Sequence, residues 1–395
     1  MKNTKKNKKI CIIGGGGHVG FPLGLVLASK KNSVYLYEKN KKVCKKINNG
    51  NVPYFEINAK SFLKKYHKNI LAGFDENYIA KADIIIVSIG TPVDKRYKPE
   101  LKGFLNLFHF LKKIVNQNQT IIIRSSVYPG ITDKIKKILE GRNENISYCP
   151  ERILQGKAIE ELPKLPQIIS GYNKRSIEIS KRLFNSISNK TIITSVLEAE
   201  LVKLFSNAWR YINFAASNQF FMICQNFNID FKRVRNFMMD GYERNSTLPK
   251  AGFAAGPCLL KDTMQLSHFV NGKFPLGKES LNINEGLPDH LLKILKRDYK
   301  LKSKKIGILG LAFKSDVDDV RDSLSFKLIK NLKKEKLKTF ISDEFFYHPN
   351  SMTKEELIKK SDIIIVAVPH SKYKKIKIPK KKILIDTWGI VKQDT

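Results

Sequence analysis

Three groups of residues in this chain of 395 residues have types and spacings that suit chemistry. The first is the run Gly14-Gly15-Gly16-Gly17-His18-Val19-Gly20, in which Gly15, Gly17 and Gly20 satisfy G-x-G-x-x-G. In such a run the first glycine permits a tight turn, the second lets a pyrophosphate approach the backbone, and the third lets a helix pack on a strand. The helix that follows offers free amides and a partial positive charge to phosphates. Glu38 lies 18 residues past Gly20, where a carboxylate accepts ribose hydroxyls and repels a 2′-phosphate, so NAD is favoured over NADP. The second group is Cys258-Leu-Leu-Lys261-Asp262, preceded by the small residues of Gly252–Gly256. Small residues admit a substrate, and a nearby cation favours the thiolate, so Cys258 is a candidate nucleophile. The third is Lys203 and Asn207, four apart and so on one face of a helix, where both could donate to one developing oxyanion.

Those residues need elements to hold them. Lys9–Ile13 and Ser33–Tyr37 read as strands flanking a helix over Phe21–Ser29, and further strands are expected at Asp83–Ile89, Thr120–Arg124 and Ile146–Cys149. Short apolar runs separated by helical stretches indicate parallel βαβ units. A second alternating region has strands at Ile306–Leu309, Asp362–Val368 and Ile383–Asp386. The two regions echo each other, "KKICIIG" answering "KKIGILG" and "KADIIIVSIGTP" answering "KSDIIIVAVPHS". Between them, Ser195-Val-Leu-Glu198 fits a capping box, and no Gly or Pro interrupts the chain from there to about Asn226. That predicts one long helix. The fold expected is α/β, with two Rossmann-like doubly wound domains (1–194 and 301–395) joined by a central helical domain (195–300).

Composition excludes other classes. An apolar content of 42% suits a globular protein with real cores. No apolar run approaches the roughly 18 residues that span a bilayer, and Ile10–Ile13 is too short for a signal-peptide core. A cytoplasmic protein without a membrane partner is expected. Cys11, Cys44, Cys149, Cys224 and Cys258 are scattered and odd in number, which argues against a disulfide framework and structural zinc. The first four read as small buried hydrophobes. The net charge of +36 suits a nucleic-acid partner, but the lysines run along the whole chain, densest at Met1–Lys9, Lys333–Lys338 and Lys372–Lys382. No helix-turn-helix, zinc or RNA-binding signature accompanies them, so no nucleic acid is expected.

Five further stretches, "GTPVD" (Gly90–Asp94), "SSVYPG" (Ser125–Gly130), "CPERILQG" (Cys149–Gly156), "EAELVKLFSNA" (Glu198–Ala208) and "GFAAGPCLLKDT" (Gly252–Thr263), complete a pattern in chain order. With the glycine turn, they resemble the UDP-glucose/GDP-mannose dehydrogenase family. The resemblance implies oxidation of the C6 hydroxyl of a nucleotide-bound sugar to a carboxylate by two hydride transfers to NAD. An alcohol-to-acid oxidation passes through an aldehyde; a thiolate adds to it, the thiohemiacetal yields a second hydride, and the thioester is hydrolysed. By resemblance, Cys258 is the nucleophile, Lys203 and Asn207 the oxyanion donors, and Glu151 takes part in hydrolysis. Ser126 stands where the family usually has threonine and keeps a hydroxyl to orient water, and Asp262 could serve as base or water holder. His18, Val19, Thr91 and Arg321 are expected near the cofactor, and Arg244, Lys261 and Lys314 at the substrate.

The branch acting on UDP-glucose carries a second glutamate where this chain has Gln155; "PER" (Pro150–Arg152) is closer to the branch acting on UDP-N-acetylhexosamines. "CLLKD" keeps a lysine that some of that branch lacks. The resemblance also implies a homodimer through the central helices. Two rivals make different predictions: a single-step β-hydroxyacid dehydrogenase needs no cysteine, and a basic nucleic-acid-associated protein makes no use of its Rossmann fold.

Overall fold

The computed structural model describes residues 7–94 and 97–393, so most of the basic run Met1–Lys9 lies outside the described residues. The chain divides into two compact units, Met1–Phe205 and Ser206–Thr395.

The first unit is built on one sheet of eight strands. In chain order these are β1 (Lys9–Ile13), β2 (Ser33–Tyr37), β3 (Ile70–Gly73), β4 (Ile84–Val87), β5 (Thr120–Ile123), β6 (Ile146–Tyr148), β7 (Gln167–Gly171) and β8 (Thr191–Ile193). Their spatial order is β3-β2-β1-β4-β5-β6-β7-β8, parallel throughout except the β6/β7 pair. The first six follow the doubly wound order, which reverses between β1 and β4 and places a ligand site at the carboxyl ends of those strands. Ile84–Val87 is buried on both faces, as expected of an inner parallel strand. Helix α1 (Gly20–Ser29) is apolar all round, so it is sunk against the sheet rather than laid on its surface. Strands β3, β7 and β8 escaped the sequence reading: β3 and β8 are short edge strands, and the burial of β8 fails to alternate.

The second unit carries the parallel sheet β10-β9-β11-β13, from β9 (Lys305–Leu309), β10 (Lys338–Ser342), β11 (Ile363–Val366) and β13 (Ile383–Ile385), plus the small pair β12 (Lys377–Ile378) and β14 (Lys392–Gln393). Helices Leu259–Phe269 and Pro275–Asp298 precede it. Leu287, Leu291 and Leu295 share a core with Ile306, Ile308, Ile363 and Ile365, so helices and sheet of this unit stabilise one another.

The internal repeat has a physical basis. Asp83 precedes β4 and accepts the Lys9 amide at 2.8 Å; Asp362 precedes β11 and accepts the Lys305 amide at 2.8 Å. Each aspartate pins the start of the first strand of its unit to the start of the neighbouring strand. The expected long helix runs Val196–Asn226, 31 residues. Its capping box is formed: Glu198 accepts from the Ser195 amide (2.9 Å) and hydroxyl (2.7 Å), and the Glu198 amide donates to the Ser195 hydroxyl (3.4 Å). Thr194 also donates to Glu198.

Candidate active site

The glycine turn is shaped by three different constraints. The amides of Gly14 and Gly15 donate to the Tyr37 carbonyl at 3.0 and 3.2 Å, which draws the turn across the end of β2. A Cβ on Gly15 would lie 2.6 Å from the Leu36 Cα, and one on Gly20 would collide with the Gly14 carbonyl. A Cβ on Gly17 would meet only that carbonyl, at 3.3 Å. Two glycines are therefore demanded by the protein's own packing, while the third leaves an open cradle. Gly14, at φ +79°, supplies the left-handed turn itself, a role the spacing alone did not assign. Tyr54 donates to the Gly17 carbonyl at 2.7 Å and packs its ring 3.8 Å from that of His18, fixing the outer lip of the turn. Val19 closes the turn ahead of α1. Glu38 accepts the Gly16 amide at 3.2 Å and the Asn40 amide at 2.9 Å and is half-buried. An open Gly17, helix amides and a carboxylate at the end of β2 together fit NAD.

Along β4 and β5, the buried Thr91 hydroxyl donates to the Ser126 carbonyl, tying the turn after β4 to the loop after β5. Ser126 itself is half-buried. Glu151 is buried and its carboxylate is engaged on both oxygens: one pairs with the Arg124 guanidinium, the other accepts the amides of Arg152 (2.8 Å) and Ile153 (3.2 Å). Arg124 escaped the sequence reading. It is fully buried, donates also to the Cys149 carbonyl (3.3 Å) and Gln167 (3.2 Å), and lies over the Phe184 ring. Glu151 is thus held in place by Arg124 and two backbone amides. Its arginine could have been suspected, because a buried carboxylate needs a partner.

On the long helix, Lys203 is half-buried and Asn207 buried. Asn207 donates from Nδ2 to Asp262 at 2.5 Å, and Lys261 Nζ pairs with the other Asp262 oxygen at 2.9 Å. Asp262 is fully buried. One oxygen accepts a hydrogen bond from Asn207 and the other lies in the ion pair with Lys261, as a buried carboxylate needs partners. The Asp262 amide donates to the Cys258 carbonyl at 2.9 Å, so the charged cluster is one turn from the thiol.

Cys258 is the only exposed cysteine of the five. Burial pushes the thiols of Cys11 and Cys149 up to about 12, so these stay protonated and inert. Cys44 and Cys224 are also buried. Cys258 stands at the N-cap position of helix Leu259–Phe269. Its loop is anchored by Asn218, which accepts the Gly252 amide (2.8 Å) and donates to the Gly252 carbonyl (3.0 Å). Any side chain at Gly252 would strike Trp388, and any at Gly256 would strike Phe313. Neither Asn218 nor Trp388 was visible as a loop anchor in the sequence, since their spacing to Gly252 has no period.

Arg321 faces Cys258 electrostatically, its guanidinium held by Asp319 through a 2.6 Å bond from Nη2. Lys314 lies over the Phe313 ring at 5.9 Å. Arg244 sits on an exposed turn, donating to the Tyr242 hydroxyl at 3.1 Å. The structure therefore gathers Cys258, Lys261, Asp262, Asn207 and Arg321 around one loop and helix start.

Comparison with known proteins gives the same direction. Models of the UDP-glucose/GDP-mannose dehydrogenase family match residues 8–188 (NAD binding domain), 197–285 (central domain) and 307–393 (UDP binding domain). A UDP-N-acetyl-D-mannosamine dehydrogenase of Methanococcus maripaludis is 30% identical, over 98% of this chain and 94% of its own. That of Methanocaldococcus jannaschii is 27% identical over 100% and 96%. Among solved structures, the UDP-D-ManNAc dehydrogenase of Pyrococcus horikoshii shares the fold at TM-score 0.87, with 22% identity over 97% of this chain and 100% of that one. A UDP-glucose dehydrogenase of Pyrobaculum islandicum does so at 0.89, with 19% identity over 99% and 96%.

Proposed function

The chain belongs to the UDP-glucose/GDP-mannose dehydrogenase family and is an NAD-dependent nucleotide-sugar dehydrogenase; from that premise we propose that it oxidises C6 of a UDP-N-acetylhexosamine to the uronate through a Cys258 thioester. The observation that carries the covalent route is that Cys258 alone among the cysteines is exposed, at a helix start lined by small residues. The "PER" turn and the relatives named UDP-N-acetyl-D-mannosamine dehydrogenase favour UDP-N-acetyl-D-mannosamine as the sugar nucleotide. Residues 1–194 take the cofactor, 195–300 carry the reacting groups, and 301–395 take the nucleotide end of the substrate.

Bound NAD supplies the hydride acceptor for both oxidations. Lys203 and the second Nδ2 hydrogen of Asn207 stabilise the oxyanion at C6, and Asp262 fixes Asn207 by taking its first hydrogen. The Cys258 thiolate adds to the C6 aldehyde carbon; a C–S bond forms and the carbonyl π pair moves to oxygen. Collapse of that oxyanion expels the C6 hydrogen as hydride and leaves a thioester. Water then attacks the acyl carbon, the C–S bond breaks and the carboxylate departs; one proton of the water is lost to solvent and the other restores the Cys258 thiol, which ionises again before the next turnover. The Ser126 hydroxyl orients this water, and Glu151, held in place by Arg124, takes part in the hydrolysis. Lys261, Lys314 and Arg244 supply cations for the diphosphate, and Arg321 is assigned to the cofactor by the family resemblance.

A homodimer through the long helix fits the same reading. Trp209, Ile212, Ala216, Phe220 and Ile223 recur at spacings of three and four, continuing into Phe227 beyond the helix end. Trp209 is 65% exposed and Phe227 70%, a stripe that a second copy would cover.

The decisive measurement is NADH released per sugar nucleotide in a panel that includes UDP-N-acetyl-D-mannosamine and UDP-glucose. We expect two NADH per UDP-N-acetyl-D-mannosamine, and no uronate from Cys258→Ser. One NADH per turnover, with activity surviving in that variant, would end the thioester reading.

A further inference from the structure

The two α/β sheets end their second strands on an acid, and the two acids have different fates. Glu38 follows β2, and Asp343 follows β10 in the corresponding place: the Gly310 amide donates to the Ser342 carbonyl at 2.8 Å, as Gly14 does to Tyr37. Glu38 is half-buried with its carboxylate at the edge of the open glycine cradle. The Asp343 side chain is fully buried and already saturated. It accepts the amides of Leu311 (2.5 Å), Ala312 (3.1 Å), Phe345 (2.7 Å) and Phe346 (2.9 Å), and it faces His370 Nε2 at 3.1 Å. Nothing is left for a ribose.

His370 is a buried titratable group that the proposed chemistry does not use, and its ring bonds at both nitrogens. Nδ1 accepts the Asp316 amide at 2.9 Å, so the ring hydrogen is on Nε2 and is donated to Asp343. Asp316 returns the contact, its carboxylate accepting the Ser371 amide (2.8 Å) and hydroxyl (3.0 Å). Phe345 and Tyr373 flank the ring at 5.0 and 5.2 Å. Asp316 has φ +55°, a left-handed conformation that a non-glycine residue holds only where surroundings impose it. The loop it belongs to closes on itself through the Phe313 amide and the Asp319 carbonyl at 3.0 Å. That loop carries Lys314.

We propose that His370 is a positioning residue for nucleotide-sugar binding: its bond to the Asp316 amide holds the Lys314 loop in the conformation that receives the diphosphate. The inference rests on the reading of Lys314 as a diphosphate cation. Lys314 is a flexible point charge, and a loop clamped before binding spares the ordering cost that a free loop would incur. The acid that binds ribose in the first unit has become, in the second, the fixed base on which the clamp is built.

Two substitutions separate the two ring bonds. In His370→Asn the side-chain carbonyl replaces Nδ1 and can still accept from Asp316; in His370→Gln the longer amide replaces Nε2 and can still donate to Asp343. UDP binding to the full chain, by calorimetry, is the probe, with NAD binding as the internal check that the variant is folded. His370→Gln should weaken UDP about tenfold and raise KM for the nucleotide sugar with kcat near the parent value, while His370→Asn stays within about threefold of the parent. NAD affinity should be unchanged in both. Unchanged UDP affinity in His370→Gln, or equal losses in both variants, would overturn the assignment. Lys314→Ala distinguishes the failures: if it leaves UDP affinity intact, the reading of Lys314 falls; if it weakens UDP while His370→Gln does not, only the clamp falls.

Discussion

At the scale of single residues, the glycine turn separates what the fold needs from what the ligand needs. Gly15 and Gly20 are required by neighbouring backbone, whereas Gly17 faces space. Gly15→Ala should fail to give a folded first unit, because its Cβ would press on the Leu36 backbone at 2.6 Å. Gly17→Ala should melt without ligand at the parent temperature yet raise KM for NAD about tenfold or more, since the methyl group occupies the pyrophosphate approach. Steady-state kinetics paired with apo melting curves test this, and a fall in apo stability with normal KM would refute it. The G-x-G-x-x-G spacing named all three positions but could not rank them. Glu151 shows the opposite case: its motif named it, and only the fold revealed the buried Arg124 that pairs with it.

At the scale of elements, the long helix begins on a charge-assisted cap. Thr194, then Ser195, hold the Glu198 carboxyl down to about 2 from its ordinary 4.5. A carboxyl lowered on folding contributes stability that is fully present above its unfolded value and lost as pH falls through the folded one. Amides in the first turn of the helix should therefore lose protection to hydrogen exchange between pH 4.5 and about 2. Glu198→Gln should shift that loss out of the window; an unchanged protection profile in the variant would show that the cap is idle. This element was legible beforehand because capping is local: Ser195 and Glu198 are three apart and need no partner elsewhere. The strands were legible for a similar reason, and β1 and β2 run over the expected residues. Strands β7 and β8 were not, since β7 pairs antiparallel with β6 and owes its place to the sheet rather than to a pattern of its own.

At the scale of the whole molecule, the proposed dimer turns on the stripe from Trp209 to Phe227. Replacing Trp209 and Ile223 with glutamate should give a monomer by sedimentation velocity at micromolar concentration, because two charges would be buried unpaired in the contact. A wild-type chain that already sediments as a monomer would remove the dimer from the reading. Among the described residues no helix is long and apolar enough to cross a membrane. The net charge of +36 arises from lysines spread over both units. A net charge of this sign and size enlarges the pull on anionic ligands.

What the sequence by itself determined were the features written in short spacings: the glycine turn with its acid, the capped helix, the cysteine loop and the order of family motifs. These depend on residues a few positions apart, where backbone geometry sets who meets whom. Tertiary structure decided the partnerships: Arg124 with Glu151, Asn207 with Asp262, Asn218 with Gly252, and His370 between Asp316 and Asp343. Each joins residues from 27 to 55 positions apart, with no period to betray it. Burial creates these pairs, because a polar group taken from water must find its partner wherever the fold brings one.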